Sequence, residues 1–282
     1  MRRTTAVLVA TAAILATGAA TASATEPAGA GGGLLVLSEG GLLTHHKAKA
    51  PSLITHKVWV KGTAKHDRLI GIDVRPANGT VYTLGSSGQL YTVDARSGKA
   101  TAIGAPVPVE GKAAGFDFNP TVDRIRLVTD TGQNLRLHPD TGAVAATDST
   151  LAYVPGDQHT GARPQVAASG YTNSVAGATT TALYGLDSAK DTLVLQGTKP
   201  GVTPPVSPNT GQLFTVGRLG VNITSVNGID IGTPDSAEHA VAAVRLGGAL
   251  PVSALVKVNL TSGRANLIAP LLTKPVGVAF TQ

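Results

Sequence analysis

Gly71-Ile72-Asp73-Val74-Arg75-Pro76 returns 44 residues later as Gly115-Phe116-Asp117-Phe118-Asn119-Pro120, and again in part as Gly228-Ile229-Asp230-Ile231. Gly277-Val278-Ala279-Phe280 reads as a degraded fourth copy, and Gly170-Tyr171-Thr172-Asn173 as a fifth in which Thr172 takes the place of the aspartate. A recurring unit determines architecture more firmly than local propensity does. After each copy come short apolar runs, as in Thr80 to Leu84, Gln89 to Asp94 and Ala100 to Gly104. Asn78-Gly79 and Ser97-Gly98 between them supply the positive φ that tight hairpins need, so each unit is a four-stranded meander. The third strand and its turn align across units: Leu90 to Gly98, Leu135 to Gly142, Leu255 to Gly263. A spacing of about 45 to 58 residues per meander is that of a propeller blade.

These units predict an all-β chain folded as a β-propeller of five four-stranded blades. A sixth would require splitting Ser169 to Gly220, which carries runs at Leu183 to Leu186, Thr192 to Gln196 and Leu213 to Val216 around the Pro-rich stretch Pro200 to Pro208. At the start of the domain, Leu34 to Leu37, Leu42 to His46 and Val58 to Gly62 read as strands two, three and four of a blade without a first strand. Gly277 to Phe280 supplies it, so the ring closes by pairing of N- and C-terminal strands and leaves no open sheet end. Helix is expected to be nearly absent, because no 3.6-residue apolar period follows residue 24 and glycine and proline are frequent.

Composition agrees. The 282 residues are 42% hydrophobic and 14% charged, with 34 Gly, 17 Pro and no Cys. That excludes a disordered chain, thiol catalysis and cysteine-based metal or redox motifs. Met1 to Ala24 reads as an export signal, with Arg2 and Arg3, an apolar stretch from Ala6 to Ala16, and Ala22-Ser23-Ala24 as the cleavage site. Thr4-Thr5-Ala6 after the arginine pair favours the general export route over the twin-arginine one. The expected organisation is a signal peptide over 1–24, a flexible linker over 25–33 and a single propeller over 34–282, secreted and monomeric. No later apolar run approaches the roughly 20 residues of a membrane span.

Net charge is +6, and +4 once Arg2 and Arg3 are removed. Much of the excess lies in Lys47, Lys49, Lys57, Lys61, Lys65 and Arg68, among His45, His46, His56 and His66, with Asp67 the one acid. Such a segment is either a patch for an anionic cell-envelope polymer or a lysine-protected sheet edge. Nucleic acid is not an expected partner, since Trp59 is the one aromatic there and no nucleic-acid motif is present.

The run GFDFNPTVDRIRLVTDTGQNLRLHPDTG from Gly115 to Gly142 resembles the hallmark stretch of the DUF4394 family of bacterial secreted proteins. Leu69 to Gly85 agrees with it, as does Tyr171 to Asp187 with its VAGATTTALYG run from Val175, and the resemblance spans roughly residues 66 to 281. It implies an exported repeat protein and carries no assigned activity.

Two clusters are candidates for chemistry. Asp73, Asp117 and Asp230 recur at one position of the innermost strand, so the three carboxylates can converge on the central channel, where calcium is the cation such ligands suit, or a sugar the substrate. The same residues can instead accept hydrogen bonds and fasten one blade to the next. Thr172 and Ala279 interrupt the ring. The second cluster is Asp123, Arg124, Arg126, Asp130, Asn134 and Arg136, beside Asp117 and Asn119. Alternation along Arg124-Ile125-Arg126-Leu127 puts both arginines on one strand face, with Arg136 across from them, and together they suit a carboxylate, phosphate or sulfate. An Arg–Asp network on the solvent face is the plainer account.

Other signals exclude more than they offer. No Lys-Ser/Thr pair makes Gly29 to Gly33 a phosphate loop, no nucleophile elbow is present, and His45 and His46 point to opposite faces. Asp157 and His159 read as a polar loop tip, and Glu26, Glu39, Glu110 and Glu238 fall in no acid–base motif. The expected function is therefore a secreted, non-enzymatic binding protein for a small anion, a cation or a cell-surface polymer. The alternatives are a hydrolase or lyase using the channel carboxylates on an extracellular carbohydrate, and a purely structural exoprotein.

Overall fold

A computed structural model describes residues 32–224, 228–249 and 251–281. The expected signal peptide and most of the linker lie outside the described residues. Blade 1 contains β1 (Gly33–Ser38), β2 (Leu42–Lys47) and β3 (Ala50–Trp59), and blade 2 contains β4 (Leu69–Val74), β5 (Val81–Gly85), β6 (Leu90–Val93) and β7 (Ala100–Ile103). Blade 3 runs from β8 (Ala114–Asn119) through β9 (Arg124–Thr129) and β10 (Asn134–Leu137) to β11 (Val144–Thr147). In blade 4 a short strand, β12 (Ala152–Tyr153), precedes β13 (Val166–Tyr171), β14 (Leu183–Asp187), β15 (Thr192–Gln196) and β16 (Gln212–Arg218), and pairs in parallel with β16. Blade 5 holds β17 (Gly228–Gly232), β18 (His239–Leu246), β19 (Val252–Val258) and β20 (Ala265–Leu271). Finally β21 (Pro275–Phe280) returns to pair with β1, Leu34 opposite Phe280 and Leu37 opposite Gly277.

Five antiparallel meanders thus form a five-bladed propeller closed between the two ends of the domain, and Ser169 to Gly220 stays within one blade. One short 3-10 turn, Pro208–Thr210, is the helical element among the described residues.

The recurring glycine is explained by how closely the inner strands approach. A Cβ on Gly71 would lie 2.6 Å from Phe116 Cβ in the next blade, and one on Gly228 would lie 2.5 Å from Gly277 Cα. Alternate positions of the same strands carry apolar side chains between facing blades. Ile72 and Val74 pack with Leu35 and Leu37 of blade 1, while Phe116 and Phe118 pack with Tyr82 and Leu84 of blade 2. Each fully buried side chain of this size contributes about 1.5–3 kcal/mol, so stability is spread around the ring.

Two expectations of strand placement are corrected. The outer strand of blade 1 is Ala50–Trp59, not Val58 to Gly62; nearly all of it is exposed, so no burial pattern marks it in the sequence. In β13 the position of the recurring aspartate is held by Gly170 rather than Thr172. Tyr171 N–H bonds to Asp117 as Phe118 N–H bonds to Asp73, which makes Tyr171 the counterpart of Phe118. The Thr172 hydroxyl accepts Ala182 N–H within its own blade. Ala168 occupies the motif glycine's place, which shifts the sequence match by two residues.

Candidate functional site

Inner strands point alternate residues toward the next blade, and this carries Asp73, Asp117 and Asp230 to the axis. They are 2%, 2% and 3% exposed. One oxygen from each lies within 4.8 Å of the others. Asp73 Oδ1 accepts Val74 N–H and its Oδ2 accepts Phe118 N–H of the next inner strand, both at 2.7 Å. Asp117 Oδ1 accepts Tyr171 N–H at 2.9 Å. Asp230 accepts Ile231 N–H and, across to the closing strand, Phe280 N–H, both at 2.6 Å. Three junctions of the ring are therefore stapled by a carboxylate, and at Gly170 and Ala279 the staple is missing.

Burial makes these groups poor anions. Burial first, then the charge of Asp230, raises Asp73 well above an ordinary aspartate; burial, then Asp73 and Asp230, does the same to Asp117. Burial pushes Asp230 up to about 6. At the glycine end the axis encloses about 10 Å³ between Gly71, Gly115, Ala168, Gly228 and Gly277, about the space of one water.

The arginine cluster divides. Across β9 and β10, Arg126 stands opposite Arg136, and across β8 and β9, Asp117 stands opposite Arg126. These side chains share the face of blade 3 that meets blade 4. Arg126 is 1% exposed, and each of its three nitrogens donates a hydrogen bond. Nε donates to Tyr171 Oη at 3.2 Å, Nη1 to Asn134 Oδ1 at 2.8 Å and Asp148 Oδ2 at 2.5 Å, and Nη2 to Asn209 Oδ1 at 2.6 Å. Arg136 forks onto both oxygens of the same Asp148 at 2.9 Å. Asp123 instead receives the Arg75 guanidinium of blade 2, which also binds Asp140 at 2.6 Å. Arg124 donates to the Val122 and Asp123 carbonyls, and Asp130 accepts the Lys112 N–H.

Above Arg126 a cleft of about 510 Å³ opens between blades 3 and 4, within the range of small-molecule sites. Asn119, Thr121 and Arg136 line it from blade 3; Thr179 to Thr181, Gln196, Lys199 and Asn209 line it from blade 4. Arg136 and Lys199 thus stand on walls from different blades, and no Asp or Glu is among the lining residues. The loop from Gly197 to Gly211 is tied down: Gln196 Nε2 donates to the Pro208 carbonyl at 2.7 Å, and Thr198 and Val206 are bonded through N–H donors on both sides. Of the expected ligand residues, Asn119 and Arg136 line the cleft, and Arg126 and Asn134 lie outside its lining, bonded to the lining residues Asn209 and Gln196. Asp148, Gln196, Lys199 and Asn209 were missed; Asp148 follows the last strand of blade 3 and the other three belong to blade 4, so no local pattern links them to β9 and β10.

The basic segment is spread over blade 1's outer rim. Lys47 and Lys49 flank the β2–β3 hairpin, Lys57 lies on β3, and Lys61 follows it and pairs with Lys99 of blade 2. Lys65 lies in the connection to blade 2, and Arg68 at its end lies 3.6 Å from Glu39. His45 Nε2 bonds the Ala95 carbonyl, whereas His46 bonds Thr44 and the Pro51 carbonyl, so the two rings diverge. Asp157 accepts the Thr215 N–H and hydroxyl and the His159 N–H, which ties its loop to β16. No helix of the described residues is long and apolar enough to cross a membrane.

The family model described as Domain of unknown function (DUF4394) matches residues 42–279. No curated protein matches the chain. One similar solved structure is described as "Crystal structure of Nidogen/Laminin Complex", with 12% identity over 89% of this chain and 99% of that chain and a TM-score of 0.48.

Proposed function

The chain belongs to the DUF4394 family of domains of unknown function, and from that premise we propose that it is a secreted, non-enzymatic binding protein that holds a small, hydroxyl-bearing anion between blades 3 and 4. The observation that carries this reading is the 510 Å³ cleft with cations on two walls and no acid in its lining. Arg126 and Arg136 share the single carboxylate of Asp148, and Lys199, 5.7 Å from the centre of the Tyr184 ring, adds a third cation, which supports a net positive charge in the region. Asp148 holds Arg136 in a fixed fork, which supports recognition of a carboxylate, phosphate or sulfate with little ordering on binding. The surrounding threonine, asparagine and glutamine side chains suit ligand hydroxyls. Tyr171 is the one aromatic lining residue and is fully buried, so no flat face is offered for stacking. The expected N-terminal export signal supports a ligand outside the cell, and the exposed Lys47, Lys49, Lys57 and Lys61 in and beside blade 1 support a weaker, salt-screened attraction to an anionic envelope polymer.

The test is calorimetric titration with phosphate, sulfate, glucuronate and glucose 6-phosphate, using the wild type and an Arg136→Ala, Lys199→Ala double variant. At least one probe is expected to bind the wild type and to lose tenfold or more in the variant. Binding of none, or equal binding to both proteins, would overturn the reading.

A further inference from the structure

The geometry of the axis points to a second, separate property: we propose that Asp73, Asp117 and Asp230 form a proton-holding clasp, in which protons shared among the three carboxyls let the ring close and their loss loosens it. Three carboxylates with oxygens within 4.8 Å of one another, each at least 97% buried, cannot all be ionised without a balancing charge. None is supplied by the strands that pack around them. β13 and β21 present Gly170 and Ala279 at the equivalent positions, while β4, β8 and β17 contribute the aspartates themselves. The nearest cations in sequence and register are committed elsewhere: Arg75 to Asp123 and Asp140, and Arg126 to Asp148, Asn134, Asn209 and Tyr171.

Five carboxylate oxygens already accept backbone N–H groups. Calcium wants six to eight oxygen ligands, and such a set is not assembled here. A proton is different. It bridges two carboxyl oxygens without displacing an N–H, and Asp117 Oδ2, the one oxygen of the six that accepts none of these five N–H groups, is placed to carry or receive it.

The sign of the effect follows from the raised carboxyls. The folded protein holds protons that the unfolded chain, with ordinary aspartates near 3.8, releases. The stabilisation is fully present below about pH 4 and is lost as pH rises through the native values, about 6 for Asp230. His45 and His46 act in the opposite direction, because burial holds both rings below their ordinary value. The comparison must therefore be with a variant that keeps both histidines.

Asp117→Asn retains an oxygen for the Tyr171 N–H and cannot ionise. Thermal unfolding of the purified protein in a chelator, from pH 4.5 to pH 8, should give a midpoint for Asp117→Asn that rises relative to wild type by several degrees as pH increases. A pH-independent difference would overturn the clasp. So would calcium at pH 8 raising the wild-type midpoint but not the variant's, since a metal ion would then balance the charge. If Asp117→Asn does not fold, proton release on unfolding the wild type at pH 7, read from the buffer dependence of the calorimetric enthalpy, decides the matter. Release of about one proton or more supports the clasp, and none refutes it.

Discussion

The axis gathers acids and the blade 3–4 cleft gathers cations within the same ring, and the two sets are used differently. At the axis, the acids stand on a recurring strand position, lose nearly all contact with water and spend five oxygens on backbone N–H groups of their own and neighbouring strands. In the cleft, the cations stand on one strand and one loop from two different blades, and Arg136 and Lys199 line an open volume. A charge that repeats with the blade serves the ring; a charge that appears once, at a loop, is available to a ligand. Arg126 connects the two regions, being opposite Asp117 in register yet bonded to Asn209 on the cleft loop.

That intermediate position makes Arg126 the most damaging place to intervene. Arg126→Ala leaves Asn134, Asn209 and Tyr171 without their donor in a buried site and Asp148 with Arg136 as its remaining partner. It should cost about 3–5 kcal/mol, the range for breaking a buried ion pair, read as a lower urea midpoint. A loss under about 1 kcal/mol would show that Arg126 is not part of the architecture. Next comes the close packing of inner strands. Gly228→Ala places a methyl 2.5 Å from Gly277 Cα at the closing junction and should cost about 1–3 kcal/mol. In the cleft, Lys199→Ala should weaken binding of the best anion about tenfold, about 1.4 kcal/mol, while leaving the thermal midpoint within about one degree. The smallest effect is expected at the rim. A Lys47→Ala, Lys49→Ala pair should shorten retention on a sulfated-polysaccharide column at low salt and leave anion binding in the cleft unchanged.

Much of the ring was legible because its requirements repeat. Glycine at the close approach and aspartate at the staple recur at Gly71 and Asp73, Gly115 and Asp117, and Gly228 and Asp230, and the paired termini follow from a blade lacking one strand. Blade 4 was harder to register because Ala168 and Gly170 replace both markers at once. Strand β3 was misplaced because an exposed edge strand is under no burial constraint that would leave alternation in the sequence. For the cleft, alternation found Arg126 on the face where it lies, and Arg136 opposite it. Nothing local linked them to Lys199 or Asn209, which reach the site only because β13 to β16 fold as a single blade. The division of the arginine cluster was also hidden, since Asp123 is paired by Arg75 from the preceding blade.

The division of labour between axis and cleft is tested most directly by the rise in thermal midpoint that a saturating anion produces at pH 5 in wild type, Lys199→Ala and Asp117→Asn. The account predicts that the ligand-induced rise is much reduced in Lys199→Ala and preserved in Asp117→Asn, because the anion binds the native cleft and not the axis. A rise lost in Asp117→Asn and kept in Lys199→Ala would place the ligand at the axis and contradict the account.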